Sequence, residues 1–398
     1  MQKQAKRGVV RRREEDRISL VPSPIQRAFF AWSIASLEDA VAFLRVCKDW
    51  TAVAAAVELN CVICVSGDSA TDARLKTLLH RFKSMTKLHL VRCDNLTMGI
   101  GQDIRALASL THLQLVSCNE LNARIWHELR ALPSLRELTV QQCNSMHMEG
   151  GLRPLRSHAN DGADGADDHA DFEGLTSLDI SANNLWTQGM VCSLLQLVPN
   201  IKRLDMSNST LACQRREDED DALPIFSTVK TALASLSNLT ELSLGYRGIT
   251  EACLDTLGQL TNLRTFRLME VSEEIGELDV EVGVPMRGVV RVMRSNPGLT
   301  HLAFGSHDIM RGERQVDIAP DEITQETFET QLMSMSLVTL ELPHCNMDAD
   351  FLTLLCSMPT LEALDICHSY MRTPEPPGPP EAWLDEPLQS GYIGRLIV

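Results

Sequence analysis

Cys93, Cys118 and Cys143 recur at a constant interval of 25 residues. Evenly spaced thiols raise two chemistries, soft-metal coordination and thiol–disulfide exchange. Cys61 and Cys64, in "CVIC", have the spacing of a redox or zinc half-site, and His344, Cys345, Cys367 and His368 gather further candidate ligands near the C-terminus. Zinc wants four ligands closing a tetrahedron. Each of the three evenly spaced cysteines instead ends the same short alternating segment, "LHLVRC", "LQLVSC" or "LTVQQC", which spreads them over consecutive copies of one unit. On a strand, residues three apart point to opposite faces, so the "CVIC" thiols diverge, and no second C-x-x-C completes them. The His344/Cys345/Cys367/His368 group is the best metal candidate, although nothing in the spacing dictates convergence. No P-loop, nucleophile-elbow or H-E-x-x-H motif is present. The expectation is therefore a non-catalytic binding protein without metal or cofactor.

The elements that position these residues follow one register, L-x-x-L-x-L-x-x-N/C. Its first three copies read Met85, Leu88, Leu90, Cys93; Leu110, Leu113, Leu115, Cys118; and Leu135, Leu138, Val140, Cys143. Then come Leu175, Leu178, Ile180, Asn183; Ile201, Leu204, Met206, Ser209; and Leu239, Leu242, Leu244, Arg247. Four more begin at Leu263, Leu299, Leu337 and Leu361, and a starting copy is read at Leu59, Val62 and Cys64. Positions four and six share one strand face, so each copy has an apolar edge that only a stacked neighbour can bury. Between strands, "NARIWHELRAL" and "DADFLTLLCSM" carry apolar residues at helical spacing. Position nine closes the turn leaving the strand, where Asn or Cys suits a buried corner.

This pattern resembles the leucine-rich-repeat family, and the ninth-position cysteine with its 25-residue period resembles the cysteine-containing class. The resemblance covers 59–371 and implies an α/β fold, a leucine-rich-repeat solenoid with a parallel concave sheet and helices on the convex side. Positions three, five and eight are expected on the concave face, where a protein partner binds. They place there Lys87, His89, Arg92, His112, Asp179, Arg203, Asp205, Asn208, Tyr246, Arg267, His301, Glu341, Asp365 and His368.

The net charge of −16 argues against a nucleic-acid partner, because a polyanion is held by clustered Lys and Arg. The one basic run, within 1–17, reads as a solvated arm with the composition of a nuclear-localisation signal. No apolar stretch reaches membrane-spanning length, so no membrane partner is expected and a cytoplasmic or nuclear location is. Acidic insertions interrupt the array near 155–173 and 212–223, and the Pro-rich tail, 372–398, ends in "YIGRLIV", an apolar segment suited to capping the last coil.

Ahead of the array, 18–58 read as a small helical unit. Phe43, Val46, Cys47 and Trp50 share one helical face, and Ser36 with Asp39 forms a capping-box-like start. Pro24, "SLEDA" at 36–40 and "VCKDWTAVA" at 46–54 resemble the F-box, with Ser23 and Ala40 standing where that family carries leucine. The resemblance implies an adaptor-docking unit through Pro24, Leu37, Asp39, Val46, Cys47 and Trp50. An F-box followed by leucine-rich repeats implies the substrate-recognition subunit of an SCF-type ubiquitin ligase, with a Skp-type adaptor and an unidentified protein substrate as partners. The alternative is a repeat scaffold of a structural or signalling complex with no ubiquitin role.

Overall fold

The computed structural model describes residues 63–66, 70–146, 172–183, 186–209, 229–245, 249, 251–269, 286–305, 325–343, 345–347, 349–367, 369–371, 392–393 and 396–397. The basic arm, the helical unit at 18–58, residues 155–171 and 212–223 of the acidic insertions, Tyr246, His344 and His368 lie outside them. The chain divides into two compact units, Met1–Leu178 and Asp179–Val398.

In the first unit, β1 (Ile63–Ser66), β2 (Lys87–Val91), β3 (His112–Val116) and β4 (Glu137–Gln141) pair in parallel in chain order. Each crossover carries helix: α1 (Asp72–Arg81), α2 (Gly101–Arg105) and α3 (Ile125–Arg130). Leu88, Leu113 and Leu138 are register partners. The strands show strict alternation, with Leu88, Leu90, Leu113, Leu115, Leu138 and Val140 all buried and their neighbours partly exposed. Parallel strands with helical crossovers bury one sheet face under the helices, which is why this alternation survives in a parallel sheet. Strand β5 (Ser177–Asp179) lies at the boundary of the units.

The second unit repeats the device. Its parallel strands are β6 (Arg203–Met206), β7 (Glu241–Gly245), β8 (Thr265–Met269), β9 (His301–Phe304), β10 (Thr339–Glu341) and β12 (Ala363–Asp365). Leu204, Leu242, Phe266, Leu302, Leu340 and Leu364 form one cross-strand ladder of register partners. Helices α4 (Gln188–Leu195), α5 (Val229–Ala234), α6 (Glu251–Leu257), α7 (Met286–Ser295), α8 (Gln325–Met333) and α9 (Ala349–Cys356) supply the other layer. Successive helices pack on each other. At the α6–α7 contact Gly288 lets the backbone approach Leu254, whose Cγ would lie 2.9 Å from any added Cβ. Phe304 meets Phe328 of α8 edge-on at 5.9 Å.

The strands β11 (Asn346–Met347) and β13 (Ser369–Met371) pair in parallel beside the main sheet, and β14 (Tyr392–Ile393) joins β13 antiparallel. The last strand, β15 (Leu396–Ile397), runs antiparallel along β12. It covers backbone groups on the terminal edge that a bare last coil leaves unpaired.

Each unit is thus a stack of leucine-rich-repeat coils, and the fold is α/β with a parallel sheet. One detail corrects the sequence reading. The starting copy is displaced by one residue: Ile63 and Val65, not Val62 and Cys64, stand opposite Leu88 and Leu90. A one-residue slip exchanges the two faces of a strand, and the observed pairing of Ile63 with Leu88 keeps the 25-residue period. Position eight of the expected outward set stands just past the strand. Strands β2 to β4 run through position seven, which puts Val91, Val116 and Gln141 on the outward face. At position eight, Arg92, Ser117, Gln142, Ala182 and Asn208 take positive φ between 51° and 57°, so the chain has already left the strand.

Candidate partner-binding face

The thiols that opened the question are structural. The Cys118 thiol donates to the carbonyls of Leu90 at 3.5 Å and Val116 at 3.5 Å, and the Cys118 amide donates to the Cys143 sulfur at 3.4 Å. Cys143 likewise donates to Leu115 at 3.6 Å and Gln141 at 3.3 Å. The contact with Cys118 and then burial push the Cys93 and Cys143 thiols up. Sulfur contacts from Cys143 and then Cys93 draw Cys118 down, while burial opposes them. Asn183 fills the same corner in the second unit, its Nδ2 donating to the Ile180 carbonyl at 2.8 Å and to Ser181 at 3.2 Å. Burial pushes Cys253, on α6, up to about 12, with Lys230 pulling the other way.

Access therefore decides reactivity. With iodoacetamide at pH 8, Cys356, which is exposed, is expected to be alkylated in the native protein. The buried Cys93, Cys118, Cys143, Cys253 and Cys345 are expected to be alkylated only in denaturant, as read by peptide mapping. Rapid native labelling of Cys118 would contradict the buried ladder. Among the described residues no three His, Cys, Asp or Glu side chains gather as a metal site, and no described helix is long and apolar enough to cross a membrane.

The outward sheet positions are where unspent polar groups stand. In the first unit Lys87 lies opposite His112, and His112 opposite Glu137. His112 Nε2 is 3.3 Å from Glu137 Oε2, and its Nδ1 is 2.7 Å from Thr111 Oγ1. A Thr–His–Glu chain has the outline of a nucleophile, base and orienting acid. The same Thr–His contact recurs at Thr300 and His301, at 2.8 Å, and both hydroxyls also lie within hydrogen-bond distance of a backbone carbonyl, of Thr86 at 2.9 Å and Arg264 at 3.2 Å. The arrangement is a repeat-to-repeat tie. Burial, then Lys87, then His112 hold His89 below its ordinary value. Glu137 belongs to this face and is absent from the sequence reading, although position three of the register points to it.

In the second unit several residues expected on this face are committed locally. Asp179, Asp205 and Asp365 each accept the amide two residues on, from Ser181 at 3.0 Å, Ser207 at 2.9 Å and Cys367 at 3.0 Å. Position-five aspartates thus fasten the turn that ends their own strand. Arg267 reaches Glu341 at 3.2 Å, across β9, where the intervening position-five residue is the buried Ala303. Arg203 is exposed at the start of β6. The structure therefore places Lys87, His89 and His112 together in one unit and Arg267 and Glu341 together in the other. Arg92 lies past the strand end.

No family model matches the chain, and no curated protein matches it. Among solved structures, the yeast Rad7 and Elc1 complex is similar at 14% identity over 92% of this chain and 89% of that one, with a TM-score of 0.45. The TLR13–ssRNA13 complex is similar at 15% identity over 74% of this chain, with a TM-score of 0.35. This chain spans 40% of that one's length. The fold assignment rests on the register and burial described above.

Proposed function

We propose that the chain is a protein-interaction adaptor, the substrate-recognition subunit of an SCF-type ubiquitin ligase acting in the cytoplasm or the nucleus. The observation that carries the reading is the order of parts: "VCKDWTAVA", with its F-box resemblance, stands directly before the stacked coils. On this reading 18–58 seat a Skp-type adaptor, and the outward sheet positions hold a protein substrate. The chain supplies no catalytic group; it raises the local concentration of substrate lysines near the charged ubiquitin carrier.

The test is co-purification of the full chain with a Skp-type adaptor. Wild type is expected to retain the adaptor, and Trp50→Ala and deletion of 18–57 to lose it with unchanged far-UV circular dichroism of the repeat array. A wild-type pulldown without adaptor sinks the reading. Stoichiometric partners that survive the deletion would establish a ubiquitin-independent scaffold instead.

A further inference from the structure

The described cations of the two units are not equally spent. In the second unit Arg267 is held by Glu341, and Arg291 of α7 is held by Asp255 and Glu251 of α6. In the first, Lys76 and His80 of α1 share Asp103, and Arg105 faces Glu128, all on the helical side. On the outward sheet face of the first unit, β2 carries cations with no described carboxylate on them. Its outward residues are Lys87, His89 and Val91, followed by Arg92 in the left-handed turn. Among the described residues Lys87, His89 and Arg92 have no ion-pair partner. At about 3.3 Å per residue the row from Lys87 to Arg92 extends about 16 Å along one strand.

Among the described residues, the register partners on the flanking strands add no carboxylate. On β3, His112 stands beside Lys87, while Gln114 stands beside His89 and Val116 beside Val91. Glu137 on β4, one strand further, is engaged by His112 at 3.3 Å. On β1 the register partner of His89 is Cys64. An extended ligand lying on β2 thus meets Lys87, the imidazoles of His89 and His112, two valines and, at the rim, Arg92, and among the described residues no carboxylate stands at the outward positions of β2 or β3. A single strand of nucleic acid would want stacking surfaces, and no Phe, Tyr or Trp stands on the outward positions of β2, β3 or β4.

We infer that the outward face of β2, formed by Lys87, His89 and Arg92 with Val91 and Val116, binds an acidic, extended peptide segment of a partner protein. The inference deepens the proposed function by naming the chemistry of the substrate segment, and rests on the sheet face being the partner surface. Its test uses no adaptor, so either reading can fail while the other stands. A bound carboxylate offsets Lys87 and His112, two of the influences that hold His89 below 6.5. The imidazole then takes up a proton on binding, so affinity is strongest at low pH and falls as pH rises through the bound-state value.

The experiment is fluorescence anisotropy with the full chain and a labelled Glu/Ser/Val peptide of about eight residues, long enough to span the row. Wild type is expected to bind more tightly at pH 6 than at pH 8, with His89→Gln flattening that difference. Lys87→Glu is expected to weaken binding at least tenfold and Arg92→Asn several-fold, and Lys230→Glu, on α5 of the other unit, to leave it unchanged. Equal affinity in Lys87→Glu, a wild-type affinity that does not change with pH, or binding of a single-stranded RNA oligonucleotide in place of the peptide overturns the inference.

Discussion

Phe266→Ala is expected to lower the free energy of unfolding by about 3–5 kcal/mol, the range for truncating a buried phenylalanine. Phe266 occupies position four of β8, is fully buried, and stands in register between Leu242 of β7 and Leu302 of β9. Coils stabilise one another only through their neighbours, so a void at the middle of the ladder weakens two interfaces at once. The loss has a transfer part and a cavity part, and partial collapse of the flanking leucines sets where in the range it falls. Phe266→Leu, which keeps most of the volume, is expected to cost less than about 1.5 kcal/mol. Urea titration followed by circular dichroism checks both: the midpoint should fall for the alanine variant with little change in slope. An unshifted midpoint would mean that position four of this copy does not face the core.

Asn296→Ala is expected to cost about 2–4 kcal/mol, although it removes no apolar surface, because it orphans two buried backbone groups. Asn296 is fully buried. Its Oδ1 accepts the Leu263 amide at 2.9 Å and its Nδ2 donates to the Val292 carbonyl at 2.9 Å, tying the start of the β8 coil to the helix that leads into β9. Asn296→Asp separates this role from simple packing. The introduced carboxyl can still accept from Leu263, but it can donate to Val292 only when protonated. Burial and that hydrogen bond raise its folded-state value above the unfolded one, so the unfolded state releases its proton first. Stability of the variant is therefore present at low pH and declines as pH rises from about 4 toward neutrality. Urea midpoints of Asn296→Asp that do not differ between those pH values from the wild-type trend would show that the side chain is not sealed from water.

The stacking register was readable because it is written in side-chain volume at fixed intervals. Every position-four residue from Leu88 to Leu364 falls where alternation and period place it, and ninth positions such as Cys118 and Asn183 take the turn corner. The starting copy misled because "CVICV" is apolar at every position. With no polar residue to mark a face, only pairing with β2 decides between Val62 and Ile63.

The partner face was less legible. Position in the repeat says that Asp205 and Lys87 both point outward, and in that sense the residue types and their order determined the candidate surface and the coil that carries it. Whether an outward charge is free is a property of distances. Asp205 is consumed by the amide of Ser207, Arg267 by a carboxylate two strands and 74 residues away, and His112 by Glu137 in the next coil. Arg92 stands at the exit of its strand, where the backbone turns left-handed, a local geometry that hydrophobic periodicity does not encode. Sequence determined which side chains line up, since burial energy enforces the period. Tertiary structure decided which of them remain unpaired, since electrostatic and hydrogen-bond partners are chosen by proximity across coils.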